Sequence, residues 1–170
     1  MNQSRRIAFC SMMAALSTVL LIVGSLLGLG TYAAPMLAGL CLLPVGQRYG
    51  SKYQTLVWLA VSALSFILIN NVEQNLMYLA LFGCYPIIRP CFGGFNRWAK
   101  LVLKLAAFNV VILALEALVV MVLVPEVIGP GMAAALLLMG NVTFILYDYM
   151  IPRYELVMEK YLSRLTGRRK

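Results

Sequence analysis

Residues 7–29 read IAFCSMMAALSTVLLIVGSLLGL, 23 residues without a charged side chain. At about 1.5 Å of rise per residue, a helix of this length crosses the roughly 30 Å hydrocarbon core of a bilayer. Residues 105–124, LAAFNVVILALEALVVMVLV, form a second such run with a single ionisable group, Glu116. Across the whole chain of 170 residues, 62% are apolar and 12% charged, too little polar surface to clothe a soluble core of this size. The sequence reads as an integral membrane protein.

The charges turn that reading into a topology. The 14 basic residues fall into four clusters: Arg5 and Arg6; Arg48 and Lys52; Arg89, Arg97, Lys100 and Lys104; and six from residue 153 to 170. Cytoplasmic segments of membrane proteins carry an excess of Lys and Arg, so each apolar interval between clusters crosses an even number of times. Two crossings per interval predict six helices, near 7–29, 33–46, 54–69, 74–88, 101–124 and 130–151, with both termini cytoplasmic. The intervening turns at 28–32, 70–75 (with Glu73) and 125–130 (with Glu126) hold no Lys or Arg. The expected fold is all-α and polytopic. Residues 1–152 form the transmembrane domain, and 153–170 an amphipathic helix with a basic tail at the inner interface.

The net charge of +8 does not point to nucleic acid, because dispersal over alternate loops builds no continuous basic face. The first run is longer than a signal-peptide core, and Thr31-Tyr32-Ala33 is a poor cleavage site, so a retained first helix is expected. Cys10, Cys41, Cys84 and Cys91 all fall in helices or on the inner side, where no disulfide is expected. The chain has no histidine, no CxxC spacing and no P-loop. No metal site, no cofactor and no enzyme activity are therefore expected.

Polar groups inside a membrane are costly and mark function or helix packing. Helix 5 carries Asn109 and Glu116, and helix 6 carries Asn141 and Asp148, each pair seven residues apart on one face. Depth from the outer ends sets Glu116 opposite Asn141 and Asn109 opposite Asp148. The polar run 70–75, flanked by Tyr32 and Tyr78, reads as the outward-facing lining of a recess. The interval 53–88 is short for two crossings, so that turn either caps short helices or dips into the membrane. Pro44 should kink or close helix 2, and Pro86 and Pro90 should end helix 4. Lys104 snorkels to the inner interface, where Trp58 and Trp98 read as anchors. On helix 1, Ser11/Ala15 and Ala14/Thr18 form two overlapping small-xxx-small pairs that let another helix approach closely.

The basic start leading into Ser11-Met-Met-Ala14-Ala15-Leu-Ser-Thr18, the Pro-bounded second helix and the segment Pro44-Val-Gly46-Gln-Arg-Tyr-Gly50 resemble the substrate-binding S components of energy-coupling factor transporters. That resemblance implies capture of a vitamin-like micronutrient near the outer face of a bacterial plasma membrane. It also implies partners that supply the energy, a transmembrane coupling subunit and ATPase subunits, with helix 1 docking on the former. The family's Ala-xxx-Ala motif is degenerate here, with Ser11 in place of the first Ala. Depth and chemistry, rather than a motif, assign Tyr32, Asn71, Glu73, Gln74, Tyr78, Glu116 and Asn141 to substrate, and Ser11, Ala14, Ala15 and Thr18 to docking. Two other readings stay open: a membrane scaffold similar to the rod-shape-determining membrane proteins, and a stand-alone carrier using Glu116 as a proton-coupled site.

Overall fold

The computed structural model describes residues 3–27, 32–89, 97–122 and 130–165, with side chains for all of these except 97–100, 116, 119–122, 130–136, 159 and 161–165. Residues 28–31 and 125–129 of the expected turns, Pro90, Cys91, the tail 168–170 and the side chain of Trp98 lie outside the described residues.

The described chain is all-α. In order come α1 (Gln3–Leu27), α2 (Ala33–Leu40), α3 (Leu43–Tyr49), α4 (Ser51–Leu68), α5 (Val72–Met77), a π-helical turn (Tyr78–Phe82), α6 (Tyr85–Ile88), α7 (Arg97–Val122) and α8 (Pro130–Leu165). The second and fourth expected helices, 33–46 and 74–88, are thus broken into shorter segments. Proline at the first helical turn loses no hydrogen bond, and Pro44 and Pro86 each open a new segment instead of closing one. Pro44 starts α3 after the bend at Cys41 and Leu42, and Pro86 starts α6 after Gly83 and Cys84. Gly50, at φ 89°, makes the left-handed reversal between α3 and α4 that a side chain would resist. Among the described residues, α1 and α4 are long and apolar enough to cross a membrane, and Leu101–Leu115 is a shorter apolar stretch.

Long-range contacts fix the helix directions. α2 and α3 run antiparallel to α1. A Cβ on Gly24 would lie 2.1 Å from Ala34 Cβ, Ser17 Oγ donates to Ala38 O at 3.1 Å, and the Phe9 and Tyr49 rings meet edge to face at 5.7 Å. α4 runs parallel to α1, with Arg6 Nη1 donating to Tyr53 Oη at 3.3 Å near one end. At the other end Gln74 and Asn75 of α5 reach Leu21 O and Ser65 O. α8 follows α5 through α6 in parallel, because Phe82, Tyr85 and Arg89 meet Tyr147, Asp148 and Glu155 in that order. α7 opposes α8, pairing Asn109 with Asn141 and Lys104 with Asp148. Neighbouring hairpin arms alternate in direction, and this gathers Arg6, Arg48, Lys52, Arg89, Lys104 and Arg153 toward one end.

Two apolar clusters fill the interior. One joins Leu21, Ala38, Leu42, Val45, Val57, Val61, Ile69 and Tyr78 across α1 to α5. The other joins Tyr32, Met36, Leu40, Met77, Phe82 and Tyr85 to Phe108, Ile112, Phe144, Tyr147 and Ile151 of the last two helices. The π-helical turn is their joint, since Tyr78 belongs to the first cluster and Phe82 to the second. Gly83 N donates to Tyr78 O at 2.8 Å and so is lost to Leu79 O, its α-register acceptor, while Pro86 has no N–H to offer Phe82 O. Trp58 Nε1 donates to Leu79 O at 3.2 Å and Tyr147 Oη to Phe82 O at 2.8 Å. Trp58, half-buried, thus packs on the first cluster and bonds α4 to the π-helical turn.

The outer face is apolar. Leu16, Val19, Val23 and Leu26 on α1, Leu56, Leu59, Phe66 and Ile67 on α4, and Leu138, Val142 and Ile145 on α8 are all exposed, while Ser17, Thr18, Gln54, Ser62, Ser65, Gln74 and Asn75 are buried. α8 continues through Pro152 to Leu165, so the expected amphipathic segment extends the sixth helix rather than forming a separate one. Tyr154 packs on the second cluster, and Arg89 clasps Glu155 at 2.9 Å.

Gly39 sits at the joint: a Cβ there would meet Phe82 O and Tyr147 Oη at 2.5 Å each. Gly39→Ala should lower the free energy of unfolding by about 1–3 kcal/mol through forced displacement. Tyr147→Phe, which keeps the ring, should cost about 1–2 kcal/mol by leaving the Phe82 carbonyl without this donor. Denaturation of the purified variants reads both; unchanged midpoints contradict the joint.

Candidate functional site

The polar run at 70–75 is largely helical. Only Ile69, Asn70 and Asn71 link α4 to α5. Asn71 caps the helix, its Oδ1 accepting from Gln74 N at 3.1 Å, and the first turn carries Glu73 near the positive end of the helix dipole. Helical geometry then turns the next two residues inward. Gln74, 1% exposed, donates through Nε2 to Leu21 O at 2.7 Å. Asn75, also 1% exposed, donates to Ser65 O at 3.2 Å and Ile69 O at 2.9 Å, taking up carbonyls at the end of α4. The cluster expected to face outward as a unit is split: Asn70 and Asn71 exposed, Glu73 half-buried, Gln74 and Asn75 inside.

Two oxygens here stand out. Asn75 Oδ1 and Tyr78 Oη are solvent-inaccessible and have no hydrogen-bond partner among the described residues. They are three residues apart, on the same side of the α5 to π-helical segment. Native interiors rarely leave such groups unsatisfied, because desolvation without a bond costs about 1–3 kcal/mol. Together they offer an acceptor and a donor–acceptor to a small polar molecule. Asn75 was not among the residues singled out from sequence; its place one residue past Gln74 in a polar run gave no sign that its oxygen would be left over.

The remaining predicted contacts lie elsewhere. Tyr32 is buried against the second cluster, its ring 3.4 Å from where a Cβ on Gly140 would stand. Asn141 is paired with Asn109. It exchanges two hydrogen bonds of 2.8 Å with Asn109, and each amide also donates to the carbonyl four residues earlier, Leu105 O or Leu137 O. The α7–α8 register is therefore displaced by seven residues, two helical turns, from the expected one. The equal spacing of the polar pairs on both helices permits either alignment. Reciprocal amide bonding selects the observed one, which also frees Asp148 to meet Lys104. The side chain of Glu116 lies outside the described residues.

Near the basic end, Lys104 Nζ lies 2.8 and 3.0 Å from the two oxygens of Asp148, with side chains 11% and 21% exposed. Tyr85 Oη donates to the same carboxylate, and the ammonium stands 5.6 Å over the Tyr85 ring. Lys104 is thus held by an ion pair to α8 and packs its ammonium over the Tyr85 ring.

The small residues of helix 1 also divide. Ala14 packs on the first cluster and Thr18 is buried, its Oγ1 donating to Ala14 O at 2.9 Å. Ser11 and Ala15 are exposed beside Met12, Leu16 and Val19. Of the four residues assigned to docking, Ala14 and Thr18 serve this chain's own packing, and Ser11 and Ala15 remain on the outside. Comparisons with protein-family models, with curated proteins and with solved structures found no match.

Breaking a partly buried pair strands one charge, so Lys104→Met and Asp148→Asn should each destabilise by about 1–3 kcal/mol. The double variant should cost less than the sum of the singles, by roughly 1 kcal/mol or more in a double-mutant cycle. Strict additivity contradicts the pairing.

Proposed function

We propose that this chain is a six-span membrane protein that captures a small, vitamin-like molecule for an ATP-driven uptake transporter, with the coupling and ATPase subunits on separate chains. The observation that carries the reading is inverted polarity. Large aliphatic side chains of α1, α4, α7 and α8 face outward while serine, threonine, glutamine and asparagine are enclosed. Water would penalise that surface, and a hydrocarbon solvent would not. Helix alternation supports the topology: it collects the described cations at one end and sets exposed Asn70 and Asn71 at the other, as cytoplasmic and outer faces require.

Capture is supported by the two unsatisfied buried oxygens, Asn75 Oδ1 and Tyr78 Oη, in the half of the bundle away from the cations. The scaffold reading also has an observation in its favour. Gln74, Asn109 and Asn141 spend their amides on this chain's own carbonyls and on each other, as helix-joining residues do.

Native mass spectrometry of the purified protein separates the two. The capture reading expects a retained small molecule and co-purification with an ATP-driven membrane complex. Tyr78→Phe should abolish retention while leaving stability unchanged or slightly raised, because it deletes an unpartnered hydroxyl. A protein that holds no small molecule and joins no such complex contradicts capture and leaves the scaffold.

A further inference from the structure

Arg5, Arg6, Arg48 and Lys52 come from three elements, α1, α3 and α4, and converge at the basic end of the first cluster. Phe9, Tyr49 and Tyr53 form a continuous row there, with edge-to-face contacts at 5.7 and 6.1 Å. Two guanidiniums lie on that row. Arg48 stands 5.2 Å over Phe9 and 5.6 Å over Tyr49, and Arg6 stands 5.6 Å over Tyr53 while donating to its hydroxyl. Arg48 is exposed, which leaves its N–H groups open to an oxyanion, whereas Arg6 spends Nη1 on Tyr53 and holds a buried Nε that has no partner among the described residues. Elsewhere in the bundle Lys104 and Arg89 have carboxylate partners, Asp148 and Glu155. Among the described residues, none of Arg5, Arg6, Arg48 and Lys52 has one. The first turn of α4, beside them, has neither a side-chain cap nor an acidic residue, so its dipole adds to the positive field.

We infer that this cluster is a binding site for the headgroup phosphate of an anionic phospholipid. Arg6 and Arg48 would hold the phosphate, with Arg5 and Lys52 completing the positive field. Exposed Ile7 and Met12 on α1 and Leu56 and Leu59 on α4 continue away from the cluster along the two parallel helices. They offer acyl chains an apolar surface in the direction a lipid anchored by its headgroup would take. The inference rests on the membrane reading above, and it adds a partner that reading does not require.

The test is native mass spectrometry of protein released from vesicles of mixed phosphatidylcholine and phosphatidylglycerol. Wild type should retain phosphatidylglycerol over phosphatidylcholine by roughly tenfold relative to the vesicle ratio. R6Q/R48Q should fall to the vesicle ratio, R6K/R48K should keep most of the enrichment through charge alone, and Arg153→Gln should keep it in full. Added inorganic phosphate should not displace the lipid. Equal enrichment in wild type and R6Q/R48Q overturns the site, and so does displacement by phosphate. A protein that does not partition into the vesicles fails the membrane reading instead, an outcome visible before any lipid is counted and one that removes this site with it.

Discussion

The carbonyl oxygens of Leu79 and Phe82, the first losing its α-register donor to the π-helical turn and the second facing Pro86, which has no N–H, must find donors inside the protein, and the fold is arranged around the two that they find. Trp58 supplies one from α4 and Tyr147 the other from α8. Glycines make room at both places: Gly83 lies against the Trp58 ring, and Gly39 lies against the Tyr147 hydroxyl. One short segment thereby bonds the front helices to the back pair, and the two apolar clusters share a joint instead of sliding past each other. A π-helical turn is rare and commonly marks a functional position. Here it begins at Tyr78, whose hydroxyl has no described partner.

The same rule, that enclosed polar groups must be answered from within, governs the rest of the interior. Gln74 and Asn75 close α5 onto α1 and α4, the asparagine pair locks α7 to α8, and Lys104, Asp148 and Tyr85 tie the basic ends of three helices. In the proposed bilayer setting these bonds replace the hydrophobic drive that lipid cannot supply between helices. Several residues chosen as substrate contacts turn out to be such ties, while Asn75 Oδ1 and Tyr78 Oη have no partner among the described residues.

The helical class and the approximate positions of the helices were legible in the sequence, because long uncharged runs and clustered cations are one-dimensional signals. Segment breaks were less so. Pro44 and Pro86 announced interruptions, but whether a proline ends one helix or opens the next depends on the turn before it. The α7–α8 register was ambiguous for a plain reason: polar residues seven apart on both helices fit two alignments equally well. Orientation about the helix axis was beyond the reach of spacing too. Ser11/Ala15 and Ala14/Thr18 look alike as letters, yet one pair faces out and the other faces the core. The pairing of Lys104 with Asp148 joins residues 44 positions apart and leaves no local trace.

Two chemically different ends on an apolar waist are the feature from which the functional account is built, and their placement on opposite sides of a bilayer is its central claim. Single cysteines introduced into a cysteine-free background at Asn71 and at Lys52, probed with a membrane-impermeant maleimide on intact cells, test it most directly. The account predicts that the position-71 variant labels at once and the position-52 variant only after the membrane is permeabilised. Equal labelling of both positions on intact cells, or the reverse order, would contradict it.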